Sequence, residues 1–347
     1  MGSVGLAVDH SQYRGSFPHF ARPKAVGEYT VDTERKMKLG RSDAKYFYEK
    51  AIGDVNFDLN KGFDTFNEKE GGEKLDMLLK WIMQMAPDGQ NLKKVLHEAD
   101  FVSWRGLLTV ISCTPFNTRD HWVFEAVRQK GVIFLCEEWS AQKIQREATR
   151  TDRDKLMTYW GHKFEKYITT DDIGKEPSTS AIVNTKEEFA VVSTTRLQPR
   201  HGPRIKLVYG AEIDAINSNA EIVEMKTQRH ALEGGFWRQK SLKWWLQSYL
   251  VGIEDIIVGF RDDNGIVFKV DVINVESLPR RGQWDGATCM IFLGTVLGAV
   301  RDLLKKDGMR CRVVYEGSEV RIDVVPSTTP DFLSDEFKIH FGIGELV

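Results

Sequence analysis

The stretch GAEIDAINSNAEIVEMKT, residues 210–227, carries two carboxylates two residues apart, Glu212 and Asp214. After a polar turn, a carboxylate and an ammonium follow at the same spacing, Glu224 and Lys226. A β-strand sends residues i and i+2 to one face. Read as a hairpin-like pair of strands, the segment gathers three carboxylates and a lysine on one side. Such a cluster repels itself unless a metal ion, a salt-bridge network or water offsets it. The apolar flanks RIKLVY and EIVEM point to a buried sheet, where unpaired carboxylates are costly. Hard divalent cations prefer carboxylate oxygens, and phosphodiester hydrolysis needs them to neutralise charge and activate water.

Two further segments supply groups of the same kind. FWRQKSLKWWLQSYL (236–250) reads as a helix with Leu242, Trp245 and Tyr249 on its apolar side. Lys240, Lys243 and Gln247 form a polar stripe at i, i+3 and i+7, with Trp244 near its edge, a combination suited to phosphates and bases. TDRDKLMTYWGHKFEKYIT (151–169) starts on a Thr/Asp cap and lines up Leu156, Trp160, Phe164 and Ile168 as one stripe. Glu165 follows four residues after Gly161, which strips bulk from the same helix face. Glu-x-Lys also occurs at 34–36 and at 336–338, the latter with Asp323 upstream and Pro326 and Pro330 between. DVNFDLNKG (54–62) half resembles a calcium loop, but it lacks the glycine at position six and the glutamate at position twelve, where Thr65 stands.

The elements that must position these groups follow from periodicity. Residues 71–85 read as a helix, 101–114 and 121–139 as strands, 255–273 as a hairpin turning at DDNG, and 288–300 as a buried helix too short to span a bilayer. Residues 1–45 are polar and turn-rich and read as an extended N-terminal arm on the body. Nothing divides the chain, so residues 1–347 read as one α/β domain with a central mixed sheet. A net charge of −2 gives no global pull toward nucleic acid, so a polyanion would need a local patch. Four scattered cysteines without a CxxC argue against zinc and against a disulfide framework. With no signal peptide, these features point to a reducing compartment, cytosol or nucleus, with no membrane partner and no secretion. Phosphate-loop, dinucleotide, zinc-protease and serine-hydrolase motifs are all missing.

Eight motifs in order resemble the decapping exoribonuclease family, DXO and its Rai-type relatives. They are FARPKAVGEYTVDTER (20–35), NFDLNKGF (56–63), SWRGLLT (103–109), GHKFEKY (161–167), GAEID (210–214), EMKT (224–227), KSLKWWLQS (240–248) and GFRDDNG (259–265). The resemblance implies two central mixed β-sheets surrounded by helices, with a PD-(D/E)xK-like nuclease core. It implies that Glu165, Glu212, Asp214 and Glu224 hold Mg²⁺ or Mn²⁺, two ions in all, with the Met225 carbonyl completing the shell. Lys226 and Gln247 would hold the scissile phosphate and the attacking water. Arg105, within Trp104-Arg105-Gly106, would meet the RNA backbone or 5′ end, and Arg35 and Glu73 would also touch substrate. The implied activity is removal of NAD caps and of unmethylated or triphosphate 5′ ends, with 5′→3′ degradation to follow. Rai-type members also bind a nuclear 5′→3′ exoribonuclease. The competing readings are a non-enzymatic partner of such an enzyme and a DNA-processing nuclease on the same core.

Overall fold

The computed structural model describes residues 2–326 and 330–344. Two mixed β-sheets organise them, as the resemblance implies. The larger has ten strands in the order Ser3–Ala7, Glu319–Val325, Arg310–Tyr315, Trp122–Gln129, Val132–Glu138, Phe101–Trp104, Ile205–Glu212, Glu188–Leu197, Lys24–Val31 and Met37–Leu39. The smaller has seven: Gly53–Asp58, Ile266–Asn274, Asp255–Arg261, Ile222–Arg229, Ala215–Ile216, Tyr46–Phe47 and Thr169–Thr170.

The N-terminal segment is more than an arm. Residues 3–7 form one edge of the large sheet and 24–39 the other. Tyr29 and Val31 are fully buried there, so apolar positions scattered among polar ones are strand positions whose partners lie far along the chain. Residues 101–114 also depart from the strand expectation. The strand ends at Trp104, and Arg105–Cys113 is a helix. Its run of branched residues suits either structure. The helix is favoured by its buried stripe of Leu107, Leu108 and Ile111, and the Thr109 and Ser112 hydroxyls bond to carbonyls four residues back.

The Asp152–Ile168 helix forms as its sequence dictates. Thr151 and Asp154 make a reciprocal capping box, and Trp160, Phe164 and Ile168 are buried. It lies close on the small sheet because Gly259 leaves room: a Cβ there would meet Phe164 Cε2 at 2.5 Å. The 54–62 segment is its anchor. Asn60 accepts from Trp160 Nε1 at 3.0 Å, and the Lys61 carbonyl accepts from the Tyr159 hydroxyl at 2.5 Å. The DDNG hairpin forms between Asp255–Arg261 and Ile266–Asn274. The long apolar helix, Gly286–Leu303, carries twelve buried residues and packs inside the principal core. All four cysteines are free and buried. Glu336 and Lys338 sit on the Asp335–His340 helix, where positions two apart do not share a face, so that second Glu-x-Lys is no strand cluster.

Candidate active site at the junction of the two sheets

The strands that carry the carboxylates do not pair with each other, contrary to the hairpin-like reading. Ile205–Glu212 belongs to the large sheet and Ile222–Arg229 to the small one. Between them the chain crosses from sheet to sheet, and Asp214 stands in that crossing, just before Ala215–Ile216 pairs with Ile222 and Val223. Asp214 Oδ2 accepts from the Met225 amide at 2.6 Å. A strand residue directs its N–H and C=O toward the same neighbour, so the Met225 carbonyl also faces this crossing.

Other elements bring in the remaining groups. Arg105 opens its helix directly after Trp104, whose strand runs parallel to Ile205–Glu212. Gly210 is required there, since a Cβ would lie 2.4 Å from Trp104 Cζ3. Trp104 is held from the other side by its indole N–H, 2.8 Å from the Lys74 carbonyl. Buried Arg105 then reaches across the junction: Nη1 lies 3.6 Å from Glu224 Oε2 and Nη2 3.5 Å from the Glu212 carbonyl. Its Nη1 meets no acceptor at hydrogen-bond distance. A Cβ at Gly106 would meet nothing within 4 Å, nor would one at Gly161, so the helix face leading to Glu165 is open.

Glu165, Glu212 and Asp214 line one cavity of about 370 Å³, together with His162, Lys45, Lys166, Glu187 and Glu188. Glu212 projects into it from the end of its strand and stays open to solvent on one side; the protein packed around it first, then the charges of Glu188 and Glu165, push its carboxyl up to about 7. Burial and then Glu224 raise Asp214 well above the usual carboxylate range, and Lys226 offsets this only in part. Glu224 behaves differently. Burial would raise it, but Lys226, which bonds to its Oε1, and Arg105 outweigh burial and hold it below the usual range. Lys226 in turn is penalised by burial yet raised by Glu224 and Asp214. The two carboxyls are thus driven in opposite directions, Asp214 up and Glu224 down, as expected when like charges crowd one site beside a single lysine. Among the described residues no three Asp, Glu, His or Cys side chains close into a metal shell. The donor set still fits a hard divalent cation: carboxylate oxygens and a backbone carbonyl gathered where their own repulsion is uncompensated.

Not every expected residue joins this group. Arg35 and Glu73 pair with each other at 2.6 Å, on the rim, where Arg35 also meets Glu188 at 3.1 Å and Lys69 meets both glutamates. Gln247 is half-buried on Lys240–Tyr249, which packs against the Arg105 helix, but its carboxamide makes no hydrogen bond with another described residue. Trp244 is buried edge-on against Phe236, not free to stack on a base. His162, Lys45, Lys166, Glu187 and Glu188 line the cavity without having been singled out in the sequence, and two of them show why. His162 lies one turn before Glu165, its Nδ1 3.5 Å from Glu165 Oε2, a spacing visible in GHKFEKY. Glu188 had no such signal: only the pairing of Ala190 with Glu212 places it diagonally across from Glu212.

Known proteins match this architecture closely. The decapping nuclease dom-3 of Caenorhabditis elegans is 43% identical over 330 residues, covering 92% of this chain and 84% of that protein. The decapping nuclease RAI1 of Emericella nidulans is 32% identical over 354 residues, covering 94% and 95%. The crystal structure of S. pombe Rai1 in complex with 3′-FADP superposes with a TM-score of 0.74 at 25% identity, covering 93% of this chain and all of that one. Both curated relatives are nucleases, hence hydrolases, and both align over most of their length. The model of the RAI1 like PD-(D/E)XK nuclease matches residues 21–338, and the chain belongs to that family.

Proposed function

We propose that this nuclease is a metal-dependent hydrolase of RNA 5′ ends. It removes NAD caps and incomplete 5′ ends, unmethylated caps or triphosphates, and leaves a 5′-monophosphate RNA that the same site degrades further. The observation that carries the reading is the uncompensated carboxylate group at the sheet junction, with Lys226 and a free Arg105 donor beside it. The relatives' names and the 3′-FADP held by S. pombe Rai1 support a 5′-end dinucleotide as substrate.

Glu165, Glu212, Asp214 and Glu224 would hold Mg²⁺ or Mn²⁺, two ions in all, with the Met225 carbonyl. Bound there, the ions supply charge neutralisation and an acidified water. Lys226, bonded to Glu224 Oε1 and in the field of Asp214, orients the attacking water and offsets charge growing on the phosphate. Arg105 directs Nη1 to a phosphate oxygen, and Gln247 supplies a carboxamide from the neighbouring helix. Arg35 and Glu73 border the path by which the 5′ moiety enters.

The register of the cut follows from the carboxylate arrangement. Among the described residues no glutamate-rich helix lines the cavity to grip a pyrophosphate: the Asp152–Ile168 helix contributes one carboxylate to it, Glu165. The scissile bond is then the first internucleotide phosphodiester, and an NAD-capped RNA releases intact NAD. Mass spectrometry of the small products from RNAs with different 5′ ends tests this. Nicotinamide mononucleotide as the main early product would refute the register, and no RNA product at all would refute the reading.

A further inference from the structure

The chain as a whole has no pull toward a polyanion, but two of its segments do. Residues 10–27 hold Arg14, Arg22 and Lys24, residues 189–211 hold Arg196, Arg200, Arg204 and Lys206, and neither segment contains an Asp or a Glu. The fold lays the two side by side. Phe20 bridges to Leu197, the Ala21 amide donates to the Arg196 carbonyl at 2.9 Å, and the Gln198 amide donates to the His19 carbonyl at 2.9 Å. The loop of residues 198–204, which joins the Glu188–Leu197 and Ile205–Glu212 strands, then runs along the Gly286–Leu303 helix. A Cβ on Gly294 would meet Pro199 at 3.3 Å, and one on Gly202 would meet Arg301 Nη2 at 3.3 Å.

Two arginines fix this surface, and both bond to neutral groups. Arg200 donates from Nη1 to the Gln12 carbonyl at 3.0 Å and from Nη2 to the Arg14 carbonyl. Arg301 donates from Nη1 to the Pro203 carbonyl at 3.1 Å, with the Arg204 carbonyl 3.5 Å away. Each fixed guanidinium therefore sits at the backbone of a second, exposed arginine, Arg14 or Arg204, whose side chain bonds to no described residue. None of the four forms an ion pair with a described carboxylate. The acids at the border are engaged elsewhere: Asp9 accepts from Ser11, Asp302 pairs with Lys305 at 3.0 Å, and Glu254 pairs with Arg22 at 2.6 Å. Like charges gathered this way repel, which costs stability unless an anion joins them. An aromatic ring stands beside them. Phe17, three residues after Arg14, is exposed, and its ring meets Trp245 and Tyr249 at nearly right angles. Cations with an exposed ring are the combination that holds single-stranded nucleic acid without reading its sequence, whereas an acidic peptide calls for the charges alone.

We infer that Arg14, Arg200, Arg204 and Arg301, with Phe17, form a surface that takes up the body of a single-stranded RNA whose 5′ end occupies the cavity. The 198–204 loop lies at the far end of the Ile205–Glu212 strand from Glu212, about 23 Å along it, so an RNA of only a few nucleotides does not reach both. This rests on the proposed RNA 5′-end hydrolysis.

The test is binding of a single-stranded 5′-phosphorylated RNA of roughly 30 nucleotides, well beyond one short binding site, to the Asp214→Asn protein, followed by fluorescence anisotropy across a series of salt concentrations. Adding Arg14→Gln and Arg204→Gln together lowers the slope of log Kd against log salt by about 1.4, the loss of two phosphate contacts on a single strand. Phe17→Ala weakens binding by about fivefold or more and leaves the slope at the parent value, because a stacking contact releases no counterions. With Asp214 restored, the double arginine variant hydrolyses a substrate of about five nucleotides at the parent rate and melts at or above the parent temperature, since neither side chain bonds to the fold. An unchanged slope, or an equal loss of turnover on the short substrate, would overturn the surface alone. Polyglutamate binding as tightly as the RNA, and lost in the same variant, would assign the surface to an acidic protein segment and overturn the RNA assignment. A parent protein that neither binds nor hydrolyses RNA would overturn both the surface and the functional reading beneath it.

Discussion

Two groups of charged side chains meet at Glu188, and they are built on opposite principles. On the rim, Arg35 and Lys69 face Glu73 and Glu188, two cations against two carboxylates, each charge matched within ion-pair distance. Inside, Glu165, Glu212 and Asp214 line the cavity with Glu224 behind them, and Lys226 and Arg105 neutralise Glu224 first. The rim group is balanced and ties the turn at Arg35 and the 69–73 segment to Glu188 on the cavity wall. In the inner group Glu212 and Asp214 are left with carboxyls raised above the usual range. A balanced cluster is complete in itself, whereas an unbalanced one has room for a cation that the chain does not provide.

Breaking the inner group has the largest expected effect. Asp214→Asn or Glu224→Gln lowers hydrolysis by roughly three orders of magnitude or more, the equivalent of several kcal/mol of lost charge stabilisation. Asp214→Asn leaves the melting temperature intact, because the native aspartate is already hard to ionise. Steady-state kinetics and thermal melts on the same preparations check both halves.

Lys226 comes next. Lys226→Ala lowers kcat by about 10²–10³-fold, as loss of a single stabilising donor does elsewhere, with little change in RNA affinity. Single-turnover kinetics separate the two. A variant that mainly loses binding would move Lys226 among the phosphate-positioning groups.

The pH dependence of stability sharpens the contrast further. The native Glu212 carboxyl keeps its proton up to about 7, whereas in the unfolded chain it releases it near 4.5. Between these values the native state binds more protons, so stability falls as pH rises through the window. Asp214 acts in the same direction. Melts without divalent cations therefore decline from pH 4.5 toward 7, and Glu212→Gln flattens that decline. Added Mg²⁺ raises the melting temperature more at pH 7 than at pH 5, since it binds the ionised carboxylates.

The smallest effect belongs to the rim. A double-mutant cycle on Arg35→Ala and Glu73→Ala gives a coupling of about 0.5–3 kcal/mol in stability, with turnover reduced far less than in Asp214→Asn. A loss of turnover equal to that of Asp214→Asn would erase the distinction between the two groups.

How much of this was legible in the chain differs from residue to residue. The Thr151 cap, the Trp160–Phe164–Ile168 stripe and the DDNG turn are local, and local signals predict local structure. Glu212, Asp214, Glu224 and Lys226 were visible through their spacing. Their assignment to two different sheets was not, because spacing says nothing about which strand a strand pairs with. Arg105 at a helix start, Glu188 across from Glu212, and the N-terminal strands at both sheet edges all depend on partners far away in sequence. Trp244 shows the opposite failure: it sits near the edge of its helix stripe, yet Phe236 from the preceding turn covers it.

The account turns on whether the inner carboxylates hold a divalent cation. Calorimetric titration of Mn²⁺ into the wild-type protein, Asp214→Asn and Glu188→Gln measures this directly. The expected result is saturable binding to the wild type, loss of that binding in Asp214→Asn together with loss of hydrolysis, and retention of most of it in Glu188→Gln. Asp214→Asn titrating like the wild type, with near wild-type turnover, would contradict the account.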